Sequence, residues 1–284
     1  MFGVIPAFDE PKIPLDWLGL PEGAAIHGFG ILVALGFVFG GNVAMARARK
    51  LGLDPEVINR LIGYLVVGTF VGGHVGYGLM YEPENYLANP VEFLKFWRGL
   101  SSFGGFAVCV PLSVWFFWKE KVPVWPYLDC LAHGMAVGWF FGRMGCFVAH
   151  DHPGTPSDFF LAVEGMCKAD ADGAACHDLG LYEAMWSLAM FGLFKAMDRV
   201  PRTPGIYPLL LGAVYGPVRF MMDYLRPEST DVRYLGFTPG QYWSLIFFAV
   251  CVFFLIQRAR SGDRPMPFVD EGVPEPEADD VATG

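Results

Sequence analysis

Four charged side chains stand inside runs that are otherwise apolar. They are Arg143 in "GWFFGRMGCF", Glu183 in "LYEAMW", and Arg219 and Asp223 in "VYGPVRFMMDYLR". Taking a charge out of water is costly, so an ionisable group in an apolar span is a functional candidate. An arginine presents a planar fork of donors that meets a phosphate through two parallel hydrogen bonds. Two such forks in one layer form an anion site. Asp223 follows Arg219 by one helical turn and is spaced to pair with it, while Glu183 can pair with Arg143 or with Arg226. The plainer alternative is a set of ion bridges that lock helices together.

A second group closes the first of those runs: Cys146, then His150-Asp151-His152, then Pro153-Gly154. Histidine carries protons near neutral pH, so His150 and His152 with Asp151 are candidates for acid/base work at the mouth of a site. With His177 they are also candidate metal ligands, but no thiolate or carboxylate set of the right spacing joins them, and no metal is expected. His27, His74 and Tyr77 lie in or beside apolar stretches and are candidate binding residues. His133 reads as a hydrogen-bonded interior histidine and Asp129 as an interfacial acid. In "SSFGG", Ser102 and Gly104 open a helix whose free N–H groups suit an anion or a lipid headgroup.

The elements that must carry these residues are membrane helices. Of 284 residues, 54% are hydrophobic, 16% aromatic and only 17% charged; a soluble domain carries about 25% charged residues. Seven windows approach the length needed to cross a bilayer, near 24–45, 57–80, 103–118, 127–149, 181–198, 206–225 and 240–258. The expected class is therefore an all-α polytopic membrane protein. With the N-terminus outside, the inner ends hold Arg47, Arg49, Lys50, Arg60, Lys119, Lys121, Lys195, Arg199, Arg202, Arg258, Arg260 and Arg264. The outer side holds Lys12, Lys95, Arg98, Lys168, Arg226 and Arg233. This asymmetry predicts N-out/C-in and puts Arg143, Glu183, Arg219 and Asp223 in the outer half.

Glycines at 138, 142 and 145, and at 72, 73 and 76, are spaced for close helix packing. Residues 1–260 form the expected membrane domain, including an acidic outer loop at 151–180. Within that loop Cys167 and Cys176 are either a disulfide, as an oxidising compartment allows, or two free thiols. Residues 261–284 are Pro- and acid-rich, which predicts a disordered cytoplasmic tail. Scattered basic residues and a net charge of −9 exclude a nucleic-acid footprint. The N-terminus shows no basic run before an apolar stretch, so no cleavable signal is expected. No inverted repeat marks a transporter.

Six segments in order resemble the prolipoprotein diacylglyceryl transferases of bacteria. "GRMGCFVAHDHPG" resembles the family signature, which reads G-R-x-G-N-F and then an acid and a glycine. "IHGFGILVALGF", "GGHVGYGLMY" with "NPVEFLKFWRGLSSFGG", "HDLGLYEAMW", "YGPVRFMMDYLR" and "TPGQYWSL" are similar to its other motifs. The resemblance implies an enzyme of the bacterial plasma membrane that needs no cofactor. Its active site faces the periplasmic leaflet, and its partners are phosphatidylglycerol, membrane lipid and the lipobox segment of preprolipoproteins. It moves a diacylglyceryl group onto the lipobox cysteine, the first step of lipoprotein maturation, and glycerol phosphate leaves.

The family's essential arginines match Arg143 and Arg219, its signature acid Asp151, and the end of its last arginine motif Asp223 and Arg226. The chain departs from the pattern at Phe103 (commonly His), Cys146 (Asn), Phe29 (Tyr) and His74 (Arg). These departures leave a paralogue that binds lipid or lipoprotein without catalysis as the alternative. They also leave the proton acceptor open among His150, His152 and His74.

Overall fold

The computed structural model of the protein describes residues 4–15, 17, 19, 25–95, 99–167, 174–228 and 232–269. Each apolar window appears as a helix: α1 Gly28–Lys50, α2 Pro55–Tyr81, α4 Ser102–Glu120, α5 Val124–Ala149, α6 Leu179–Met197, α7 Ile206–Met222 and α8 Pro239–Arg260. Local signals set their ends. Asp54 accepts from the amide of Glu56 at 2.9 Å to cap α2, with Pro55 at its first position. Thr238 and Gln241 form a reciprocal capping box on α8. A short helix, α3 Pro83–Ala88, and a 3-10 turn, Pro90–Leu94, fill the stretch between α2 and α4.

Three of the helices, α1, α2 and α8, are long and apolar enough to cross a membrane by length and composition. The packing shows the same solvent preference. Val38, Val67, Phe70, Val110, Val114, Leu188 and Phe253 are all exposed on helix surfaces. So many large apolar side chains on helix surfaces suit a lipid surround rather than water. The protein is a mostly helical, membrane-embedded chain.

Glycines set the two closest helix contacts. A Cβ on Gly40 of α1 would lie 2.6 Å from the Gly134 carbonyl of α5. A Cβ on Gly72 of α2 would lie 2.7 Å from the Gly104 carbonyl of α4. Any side chain there would force the backbones apart. Gly142 departs from the expected packing face: open space surrounds its Cβ position.

Two short ribbons lie beside the helices. β1 Lys12–Pro14 pairs antiparallel with β2 Ala25–His27. β3 Pro153–Pro156 pairs antiparallel with β4 Cys176–Asp178 through an irregular register. Cys167 and Cys176 form a disulfide that closes the α5–α6 loop onto β4.

The opposite end holds a polar knot. Asp198 receives Arg47 at 2.5 Å, the Tyr207 hydroxyl at 2.6 Å and His133 at 3.2 Å. His133 is thus the interior histidine expected. Asp129 lies beside this knot. It is buried and accepts from the amides of Gly205 (2.9 Å) and Tyr207 (3.2 Å), where α7 begins. A disordered tail from residue 261 is also corrected for its first part. Met266 donates its amide to the Arg202 carbonyl and Val269 to that of Lys50, and Phe268 packs under Arg47. Apolar side chains at 266 and 268 give this piece something to bury. Residues 270–284 lie outside the described residues.

Candidate active site

Helical spacing builds the site. Trp139 and Arg143 are one turn apart on α5, Tyr215 and Arg219 are one turn apart on α7, and Asp223 follows Arg219 by one more turn, at the residue that ends α7. Glu183 enters between these faces from the second turn of α6, only 1% exposed. Its carboxylate meets Arg143 Nε at 2.8 Å and Arg219 Nη1 at 3.8 Å. The Trp139 indole donates to it at 3.3 Å and the Tyr215 hydroxyl at 3.2 Å. Glu183 therefore pairs with Arg143, as one of the two expected pairings had it, and reaches Arg219 rather than Arg226.

Asp223, also 1% exposed, takes Arg219 Nη2 at 2.9 Å and Arg226 Nε at 3.5 Å. Thr238 at the start of α8 donates its hydroxyl to the other carboxylate oxygen. The Gln241 amide donates to Thr238 at 3.1 Å and the Gln241 side chain to the Phe220 carbonyl at 3.2 Å. A Cβ on Gly240 would lie 2.6 Å from Asp223, so only glycine lets the α8 backbone come that close.

Three guanidiniums thus share two buried carboxylates in a layer walled by apolar helices. Such a donor-rich cluster suits an anion. Partly buried arginines already held by carboxylates need little reorganisation to receive such an anion. Trp139 lies under the Arg143 guanidinium, 4.9 Å from ring centroid to carbon, which adds to its fixed orientation.

The "HDH" end divides between two places. His150 ends α5 in the left-handed conformation, φ 50°, which turns the chain out of the helix. Its Nε2 meets the Phe8 carbonyl at 3.0 Å. Its ring borders a cleft of about 530 Å³ beside Asp9 and Glu164, so it is not brought to the arginines. Asp151 does not hold a guanidinium either: it receives Nδ1 of His152. His152 turns its Nε2 to Arg143 Nη1 at 3.4 Å, and the same nitrogen of Arg143 lies 3.8 Å from the Cys146 sulfur.

Cys146, Asp151 and His152 bring their ligand atoms within 4.8 Å of one another, which is metal-site spacing. The Arg143 guanidinium, however, points into the same lone pairs, and its charge opposes a cation there.

Backbone contacts join this loop to the clamp. The Leu179 amide donates to the His152 carbonyl at 3.2 Å. A Cβ on Gly154 would meet His177 at 2.8 Å and the Leu225 carbonyl at 2.9 Å. Asp178, fully buried, caps α6 through the Leu181 amide at 2.8 Å and so sets the helix that carries Glu183. Burial, partly offset by that bond, pushes its carboxyl up to about 6. His177 donates to or accepts from the Tyr182 hydroxyl at 2.7 Å, apart from the other histidines.

The remaining candidates are placed elsewhere. His27 is exposed on β2 and pairs with Glu10 at 3.0 Å. His74 is fully buried in α2, its two ring nitrogens 3.3 and 3.2 Å from the Gly99 and Glu92 carbonyls. Tyr77 donates to Glu82 at 2.8 Å. Both hold the α2–α4 connection together. The Gly104 amide goes to the Ser101 hydroxyl at 3.4 Å and its α-carbon packs on Gly76. The side chain of Ser102 lies outside the described residues.

Trp139, Tyr215, Thr238 and Gln241 were missed as site residues. The one-turn spacing of Trp139 from Arg143 and of Tyr215 from Arg219 was the available signal. Nothing in the linear order brings Thr238 to Asp223.

A family profile described as prolipoprotein diacylglyceryl transferase matches residues 18–257. A phosphatidylglycerol–prolipoprotein diacylglyceryl transferase of Tolumonas auensis is 30% identical over 248 residues, 84% of this chain and 94% of that protein. One of the same description from Bordetella avium is 30% identical over 268 residues, 92% of this chain and 98% of that one. One from Chromohalobacter salexigens is 29% identical over 238 residues, 80% and 87% of the respective chains.

Proposed function

The chain belongs to the prolipoprotein diacylglyceryl transferase family, and from that premise we propose how its clustered arginines serve the transfer. The protein is a transferase that moves the diacylglyceryl group from phosphatidylglycerol to a prolipoprotein. The non-catalytic alternative raised by Phe103, Phe29 and Cys146 is disfavoured by the match over most of the chain.

The acceptor is the lipobox cysteine. Its thiol must lose a proton, because the thiolate is the nucleophile. Sulfur attacks the glycerol carbon, the carbon–oxygen bond to phosphorus breaks, and the electron pair leaves on the phosphate of glycerol phosphate. Charge therefore builds on the leaving phosphate. Arg143 and Arg219 bind that phosphate and stabilise the departing charge, with Arg226 assisting at the edge. The observation that carries this reading is the buried Glu183 that holds both guanidiniums in one layer.

The reading places the chain in the bacterial inner membrane with seven spans, N-out/C-in, and the clamp towards the periplasmic leaflet. The basic residues at the inner helix ends and the disulfide in the outer loop support that orientation. The acyl chains of the donor stay in lipid beside the exposed apolar helix faces. Complementation of a strain depleted of its transferase tests the activity. Arg143→Ala is expected to abolish transfer of labelled diacylglyceryl to a lipobox peptide while the protein still folds. Turnover near that of the unaltered enzyme would end the phosphate-clamp reading.

A further inference from the structure

We propose that His152, oriented by Asp151, is the base that takes the proton of the acceptor thiol, and that Arg143 keeps this base capped until the lipid phosphate arrives. The proposal rests on the transferase reading above. Of the six histidines in the chain, His152 is the one that meets a clamp arginine among the described contacts. His74 has both ring nitrogens against backbone carbonyls and no exposed surface. His150 faces the Phe8 carbonyl, His133 lies in the knot at the other end, His27 pairs with Glu10, and His177 meets Tyr182.

The two contacts of His152 settle its tautomer. A carboxylate only accepts, so Nδ1 carries the hydrogen and gives it to Asp151. Arginine only donates, so Nε2 presents a lone pair to Arg143. This is the tautomer a general base needs: one nitrogen anchored by an acid, the other an acceptor at the clamp that is freed when Arg143 turns away. The side chain is 27% exposed, so a thiol entering from the outer face can reach it. His152 is also tied by its carbonyl to the amide that opens α6, so the base and Glu183 keep a fixed relation.

Arg143 gives the arrangement an order of events. In the free enzyme its Nη1 donates to Nε2, and a proton there would face a guanidinium. When the phosphodiester enters, that donor turns to a phosphate oxygen and the lone pair is released. The thiol proton then moves to Nε2 as sulfur bonds to carbon. The phosphate leaves with the electron pair of the broken carbon–oxygen bond and takes the proton from His152 as the phosphomonoester departs. No other reactant is needed.

Cys146 does not serve as a relay for the lipid. A diacylglyceryl group on its sulfur would be a thioether, which does not release carbon to a second thiol.

The test compares two acceptor peptides in detergent micelles containing phosphatidylglycerol, one with cysteine and one with selenocysteine at the lipobox position. A selenol is already ionised at neutral pH and needs no base. His152→Gln should lower kcat for the cysteine peptide by about 10² to 10³, with little change in the KM for phosphatidylglycerol. For the selenocysteine peptide the loss should be under tenfold. Asp151→Asn should show the same split, more weakly. Equal losses on both peptides would mean a structural role and overturn the proposal, as would unimpaired turnover of the cysteine peptide. Loss of unaltered enzyme activity in EDTA, restored by zinc, would overturn it in favour of a metal at Cys146, Asp151 and His152. If the unaltered enzyme transferred to neither peptide, the transferase reading itself would fail instead.

Discussion

Glu183→Gln probes the centre of the site with an almost unchanged shape. Glu183 sits 2.8 Å from Arg143 and 3.8 Å from Arg219. With an effective dielectric near 20, those separations correspond to about 6 and about 4 kcal/mol of attraction. Removing the charge also removes the several kcal/mol spent in keeping a carboxylate away from water. The net loss expected is about 3 to 5 kcal/mol, the range for breaking a buried ion pair at one partner.

The loss is not shared evenly. A glutamine oxygen can replace the oxygen that serves Arg143, Trp139 and Tyr215. Its NH2 must then face Arg219, donor against donor. Arg219 should shift, and kcat should fall by roughly 10² or more, as when a positioned donor to a developing charge is lost. The clamp becomes more positive by one charge, so KM for phosphatidylglycerol should stay level or fall. The assay is labelled diacylglyceryl transfer to a lipobox peptide, run beside thermal unfolding in the same micelles. Unchanged unfolding together with unchanged kcat would refute the idea that Glu183 organises the arginines.

Two further outcomes test the frame around the site. Gly40→Val should separate α1 from α5, because a Cβ at Gly40 already lies 2.6 Å from the Gly134 carbonyl. Overpacking of that kind costs about 1–3 kcal/mol, seen as a lower unfolding midpoint with transfer reduced in proportion to folded protein. Asp178 holds its proton to about pH 6 when folded, against 3.8 in a free side chain. Between those values the folded chain binds more protons than the unfolded one, so its stability should fall as pH rises from about 4 to 6 and then level off. Asp178→Asn keeps the cap on α6 and removes the buried charge. The variant should lose that slope and gain up to about 3 kcal/mol at pH 7, and an unaltered slope would show that Asp178 is not its source.

The sequence by itself determined the helices and the residues worth asking about. Twenty-residue apolar runs can satisfy their backbone only as helices in lipid, so all the long helices fell close to their windows. Arg143, Glu183, Arg219 and Asp223 were conspicuous because charge is costly there. The pairing of Arg219 with Asp223 is a local, one-turn contact and followed from spacing alone. Tertiary structure decided everything that joins distant segments. It chose Arg143 and Arg219, not Arg226, for Glu183, and brought Thr238 of the α8 cap onto Asp223. It sent His150 to the N-terminal segment and His152 to Arg143, though the two are only two residues apart. It also packed Gly104 against Gly76 and drew residues 266–269 against Lys50 and Arg202. Those outcomes depend on which helix faces meet and how closely their glycines allow it, and a linear pattern does not carry that information.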